Sequence, residues 1–141
     1  MTLPADKGTY ILLMRLAAPH TIPIGRLGVF DFAAGYYAYV GSAFGSGGLA
    51  GRLSHHLKPA PRPHWHIDYL RQIAPLVELC YSASDTRLEC VWAAELKQMP
   101  GAGIPIPRFG ASDCRCEAHL FYFAAAPTLP GEKACIIHQC E

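Results

Sequence analysis

The chain has 141 residues, of which 51% are hydrophobic and 16% charged, with a formal net charge of +1. A chain of this length can bury most of the surface it exposes when unfolded, which argues against disorder and removes the need for a disulfide framework. The near-neutral balance excludes a protein that grips nucleic acid by bulk charge, so any such grip must be local.

Gly8–Leu16 (GTYILLMRL) is apolar and rich in strand formers, and it predicts a first strand. Thr21–Gly25 and Leu27–Phe32 read as short strands, and Gly35–Gly41 (GYYAYVG) as a further aromatic one. Their closeness along the chain predicts antiparallel hairpins. The glycine-rich SAFGSGG that follows predicts a loop. Leu49, Leu53 and Leu57 then recur every four residues, the stripe of a helix that KPAPRP ends. A second helix is expected over His64–Ala74 with Trp65, Tyr69 and Ile73 on one face, then a strand at Leu76–Ser82. A third helix, capped by Asp85 or Thr86, should run to about Gln98 on an apolar face of Leu88, Val91, Trp92 and Leu96. Pro100–Arg115 reads as loop and His119–Ala125 as a late strand, while the tail after Pro127 has no clear reading. The expected fold is α+β, a small, mostly antiparallel central sheet flanked by about three helices. One domain is expected over 1–141, with its core at about 7–125 and a tail at 126–141.

The start MTLPADKG is polar, and no apolar run reaches the roughly 18 residues that span a bilayer. The expectation is a cytoplasmic chain with no membrane partner. Its six cysteines are then thiols or metal ligands rather than disulfides. Local positive charge gathers in Ser42–Arg71, where Arg52, Lys58, Arg62 and Arg71 face Asp68 alone.

Phosphodiester hydrolysis needs a base for water, a cation on the phosphate and usually a metal. Tyr10 and Tyr39 are candidate bases. Acting as a base near neutral pH would need the hydroxyl depressed by roughly three units, about 4 kcal/mol, from its free value. Tyr37 shares the Tyr39 face of its strand and Tyr36 takes the other. On the first helix Arg52 and His56 stand four apart at the border of the leucine stripe, with His55 directed to solvent. On the third helix Glu89 lies beside the apolar face and suits a magnesium ion held by one carboxylate and waters, but periodicity places Glu95 as close. His64 and Asp68 stand together at i, i+4, with His66 on the apolar side. Cys114, Cys116 and His119 could bind zinc with a fourth ligand from elsewhere. The plain alternatives are aromatic core, a solvated helix border, a rim carboxylate and buried thiols.

Gly8-Thr9-Tyr10 and Tyr39-Val40-Gly41 resemble the paired motifs that name the GIY-YIG nuclease superfamily. Arg52, His56 and Glu89 follow in the superfamily's order and spacing. YVGSA, HWHIDYL, ECVWAAEL and FGASDCRCEAHLFYF resemble more closely the GIY-YIG-like family labelled domain of unknown function 123. The resemblance implies a divalent-metal-dependent endonuclease acting on DNA, in repair or recombination. Tyr10, or in second place Tyr39, would be the general base. Arg52 would clamp the phosphate with His56 or Tyr39 assisting, and Glu89 would hold one magnesium or manganese ion. Gly41, Ser42, Lys58, His64, His66, Ser112 and Asp113 are candidate substrate-binding positions, the last two standing in for a missing asparagine. Thr9 and Val40 replace isoleucines and should affect only packing. No second DNA-binding domain is seen, so a separate DNA-binding or repair protein is an expected partner. The alternatives are a non-catalytic nucleic-acid-binding module and a zinc-binding structural or interaction domain.

Overall fold

Strand β1 (Gly8–Leu16) is buried at every position but Arg15, because it runs through the middle of the sheet. In the computed structural model, which describes residues 3–58, 62–111 and 114–130 and the backbone of 132–134, β1 is flanked by two long strands. These are β4 (Gly35–Ala43) and β5 (Leu76–Ala83), both antiparallel to it. The outer strands are β6 (Leu120–Phe123) beside β4 and β7 (Glu132–Ala134) beside β5, giving the order β6-β4-β1-β5-β7. Strands β2 (His20–Pro23) and β3 (Val29–Phe32) do not join this sheet. They form a separate hairpin around a 3-10 turn at Gly25–Leu27. The expected α+β fold is therefore the observed one, with β1 pairing across the hairpin to β4 rather than to its neighbour β2.

Side chains alternate faces along β1. Tyr10, Leu12, Met14 and Leu16 pack with Leu49 and Leu53 of α1 (Gly48–Leu57) and with Ile67 and Leu70 of α2 (His66–Arg71). Ile11 and Leu13 pack instead with Trp92, Ala93 and Leu96 of α3 (Glu89–Gln98). Helices thus cover both faces. Each fully buried leucine stabilises this arrangement by about 1.5–3 kcal/mol relative to exposure. Tyr37 joins the first cluster and Tyr36 packs on the second, as the alternation requires.

The helix termini differ from the expected ones because of the contacts made there. Helix α1 starts at Gly48, whose φ is 56° and where a Cβ would stand 2.2 Å from the Ala5 carbonyl oxygen. Only glycine lets the chain pass so close. The Leu49 and Ala50 N–H groups then donate to the carbonyls of Asp6 and Pro4, so the N-terminal segment caps the helix. The last carbonyl region of α1 is capped by Arg71, whose Nε and Nη2 donate to the His56 carbonyl at 3.2 and 2.9 Å. Arg71 is therefore spent inside the fold and is lost from the expected basic patch.

Helix α2 begins at His66, not His64, because the Asp68 carboxylate draws in the His64 and Trp65 N–H groups at 2.8 and 3.0 Å. Its buried residues are Ile67, Asp68 and Leu70, while Trp65, Tyr69 and Ile73 are half-buried, and His66 is exposed rather than on the apolar side. Helix α3 begins at Glu89 with neither Asp85 nor Thr86 as its cap. The Leu88 N–H just before it donates to Thr9 Oγ1 at 3.2 Å. Thr9 is fully buried and does more than pack, since it ties the start of α3 to β1. Val91, expected on the apolar face of α3, is 51% exposed.

Thr9→Val keeps the shape of the side chain and removes the acceptor, leaving the Leu88 N–H without it. We expect a loss of about 1–2 kcal/mol in urea denaturation. An unchanged midpoint would mean that this bond adds nothing to the position of α3.

Candidate active site

A solvent-open cleft of about 410 Å³ lies where β4, α1, α2 and the start of α3 meet. Tyr39 and Ser42 reach it from β4, Arg52 from α1, His64 and His66 from the start of α2, and Glu89 from the first turn of α3. Phe109 and Gly110, from the loop before β6, complete the wall. Periodicity left Glu89 and Glu95 equivalent; Glu95 is exposed and lies outside the cleft.

Arg52 is held by an aromatic platform. Its guanidinium carbon stands 4.4 Å from the centroid of Trp65, an attraction of about 0.5–2 kcal/mol that fixes the direction of the fork. Trp65 was read only as a helix-face residue. Tyr39 meets Phe109 edge-on, with ring centroids 6.1 Å apart. A Cβ on Gly110 would crowd the Tyr39 ring at 3.1 Å, so the small residue there leaves the ring its place.

Tyr10 and His56 are not on the cleft surface. Tyr10 is fully buried and His56 is 2% exposed. The Tyr10 hydroxyl and His56 Nε2 are joined by a hydrogen bond of 2.8 Å. Burial, and after it the neighbouring Tyr39, push the Tyr10 pKa well above the usual phenol range, although Arg52 pulls the other way. Burial thus disfavours the phenolate that a general base would present. Burial also lowers the His56 pKa to about 3, against a smaller upward pull from Asp68. His56 is therefore neutral, its Nε2 is paired with the tyrosine hydroxyl, and it does not line the cleft. Gly41 is buried against the same tyrosine: a Cβ there would stand 2.4 Å from the Tyr10 Cζ and hydroxyl. It makes room for Tyr10 and is not a substrate contact.

The remaining expected positions divide. His55 does not point to solvent; its Nε2 donates to Asp68 Oδ2 at 3.0 Å. Hydrogen bonds from Trp65, His64 and His55 outweigh burial and hold the Asp68 pKa below the usual carboxylate range. Lys58 is exposed and outside the cleft. Ser112 and Asp113 lie outside the described residues.

Beside Glu89 sits a second cluster. The ligand atoms of Cys90, Cys114, Cys116 and His119 lie within 4.8 Å of one another, and those of His55, His56 and Asp68 form a similar group. Both could hold a metal ion by residue type and distance. In the second group Asp68 Oδ2 already accepts three hydrogen bonds. In the first, His119 is fully buried and its Nε2 is 3.4 Å from Cys114 Sγ. Its Nδ1 is 3.3 Å from Glu89 Oε2, an ion-pair separation without the angle of a hydrogen bond. Burial acts to lower the His119 pKa, but Glu89 and Cys114 overcome it and the net direction is up. Cys90 was not singled out from the sequence. Adjacency to Glu89 was its only local mark, because its partners lie some two dozen residues further along.

A family model described as "Domain of unknown function DUF123" matches residues 9–141 of this chain. The chain belongs to the DUF123 family. No curated protein and no solved structure matches it. The match takes in every residue of the cleft of this DUF123 domain, together with the four-residue cluster next to it. Among its described residues no helix is long and apolar enough to cross a membrane.

The buried neutral His56 makes the DUF123 domain acid-sensitive. Its folded pKa is about 3, below the ordinary value of 6.5, so the unfolded chain binds the proton first as pH falls. Stability should be full above about pH 6.5 and decline from there toward pH 3, by a few kcal/mol in total. Urea denaturation between about pH 7 and 4.5 checks this above the Asp68 range. His56→Gln should flatten the slope there; equal slopes in both proteins would show that His56 does not titrate in this way.

Proposed function

We propose that the DUF123 domain is a divalent-metal-dependent endonuclease that hydrolyses phosphodiester bonds of DNA, in repair or recombination, as the GIY-YIG resemblance implies. One observation carries this reading: a guanidinium, a carboxylate and a tyrosine from three separate elements line a single open cleft.

Each group has a definite task. The Arg52 fork, steered by Trp65, matches two phosphate oxygens and neutralises charge that grows during in-line attack. Among the described residues Glu89 is the only carboxylate lining the cleft, and it is 22% exposed. That suits a magnesium or manganese ion held by one carboxylate and waters. Such an ion would polarise the phosphate and stabilise the leaving oxygen. Tyr39, which lines the cleft as Tyr10 does not, orients the attacking water or accepts its proton. The Tyr10–His56 bond acts one layer below, holding α1 on β1 so that Arg52, one turn before His56, faces the cleft. Ser42, His64 and His66 supply donors along the rim for the rest of the nucleic acid. Exposed Lys58 and Arg62 extend the positive side, and a separate DNA-binding or repair protein would supply further grip.

The Glu89–His119 contact favours a second reading, a nucleic-acid-binding module without catalysis in which Glu89 is a structural partner. Labelled single-stranded, nicked, flapped and branched DNA with magnesium or manganese separates the two. Cleavage is expected, with Glu89→Gln, Arg52→Ala and Tyr39→Phe each slower by about 10²–10³-fold and still folded by circular dichroism. Tyr10→Phe should cost less than they do. Binding without cleavage under every condition would replace the nuclease reading with the binding one.

A further inference from the structure

The four-residue cluster beside the cleft is drawn from two elements. Cys90 belongs to the first turn of α3, and Cys114, Cys116 and His119 come from the segment leading into β6. Their ligand atoms lie within 4.8 Å of one another. In a tetrahedral site with bonds of about 2.3 Å to sulfur and 2.0 Å to nitrogen, ligand atoms stand roughly 3.5–3.8 Å apart. The measured 3.4 Å from Cys114 Sγ to His119 Nε2 is close to that spacing. A small closing movement of the other thiols completes it.

The surroundings hold the ligands in place without a metal. The Arg108 guanidinium donates to the carbonyls of both Cys114 and Cys116. The His119 N–H donates to the Phe109 carbonyl at 2.7 Å, and the Val40 N–H to the His119 carbonyl at 2.8 Å. An ion pair between Lys97 and Glu117 joins α3 to the same segment further out. His119 is fully buried, with Nε2 toward the thiols. Such a set of three soft thiolates and one imidazole selects zinc over the hard cations that suit Glu89.

We infer that Cys90, Cys114, Cys116 and His119 form a structural zinc site that ties the loop before β6 to the first turn of α3. The site is closed, since four protein ligands leave no position for substrate. Binding releases the thiol protons and leaves the His119 proton on Nδ1, where it faces Glu89 Oε2 at 3.3 Å. Zinc thereby sets the tautomer of His119, whose Nδ1 neighbours the Glu89 carboxylate at the cleft. The site stands whether or not the cleft cuts DNA.

The full chain, purified under reducing conditions without added zinc, should carry one zinc per chain by elemental analysis. Cys90→Ser and Cys116→Ser should each weaken zinc, in competition with a chromogenic chelator, by more than the 10–100-fold that loss of an outer-shell partner costs. Should those variants fail to fold, the wild-type chain answers by alkylation. Zinc should protect Cys90, Cys114 and Cys116 from maleimide, and a chelator should expose them. Cobalt substitution should give the intense visible bands and thiolate charge transfer of a tetrahedral site. Iron in place of zinc, unprotected thiols at these three positions, or zinc binding unchanged by Cys90→Ser would overturn the site. None of these readouts involves cleavage, so their failure leaves the nuclease reading to its own test.

Discussion

The buried hydrogen bond from Tyr10 to His56 decides how α1 lies on the sheet. A phenol and an imidazole are costly to bury unless each satisfies the other. Here burial keeps His56 neutral and Tyr10 protonated, so the bond joins two uncharged groups. Gly41 leaves the space the tyrosine ring needs. Arg52, one turn earlier on α1, is carried to the cleft as a consequence, and Trp65 finishes its orientation. The two residues buried beneath the cleft thus act on position, and the exposed groups above them are left to meet a ligand.

The carboxylate side of the cleft is fixed by a different route. Glu89 opens α3, a helix whose body packs on the far face of the sheet through Trp92, Ala93 and Leu96. Its first turn comes round to the cleft because the Leu88 N–H is held by Thr9 on β1 and because Cys90 and Glu89 adjoin the His119 cluster. Strand β1 therefore anchors both sides of the cleft, Tyr10 toward α1 and Thr9 toward α3. Adjacent residues on a strand point to opposite faces, so two neighbours on β1 reach helices on the two faces of the sheet.

Much of this was legible in the sequence. The apolar, strand-forming runs GTYILLMRL and GYYAYVG, the four-residue leucine stripe and the proline stop at KPAPRP predict strands and a helix that the structure contains. The resemblance nominates Tyr10, Tyr39, Arg52, His56 and Glu89 together, and of these Tyr39, Arg52 and Glu89 line one cleft. What was not legible depends on contacts distant in sequence. The Thr9 bond that holds the residue before α3 reaches across 79 residues, and no local rule for Asp or Thr caps can see it. Likewise Asp68 collects N–H groups from His64 and Trp65 that periodicity had placed inside a helix.

The sequence by itself determined which segments become strands and helices and which residue types carry chemistry, because periodicity and side-chain identity are local properties. Tertiary structure alone decided which of those groups are exposed. Tyr10 and Tyr39 look alike along the chain, but burial takes one out of the cleft and leaves the other at its wall. Glu89 and Glu95 likewise differ only through packing. The union of Cys90 with Cys114, Cys116 and His119 also arises there, since it requires α3 to cross the sheet and meet a loop about two dozen residues further on.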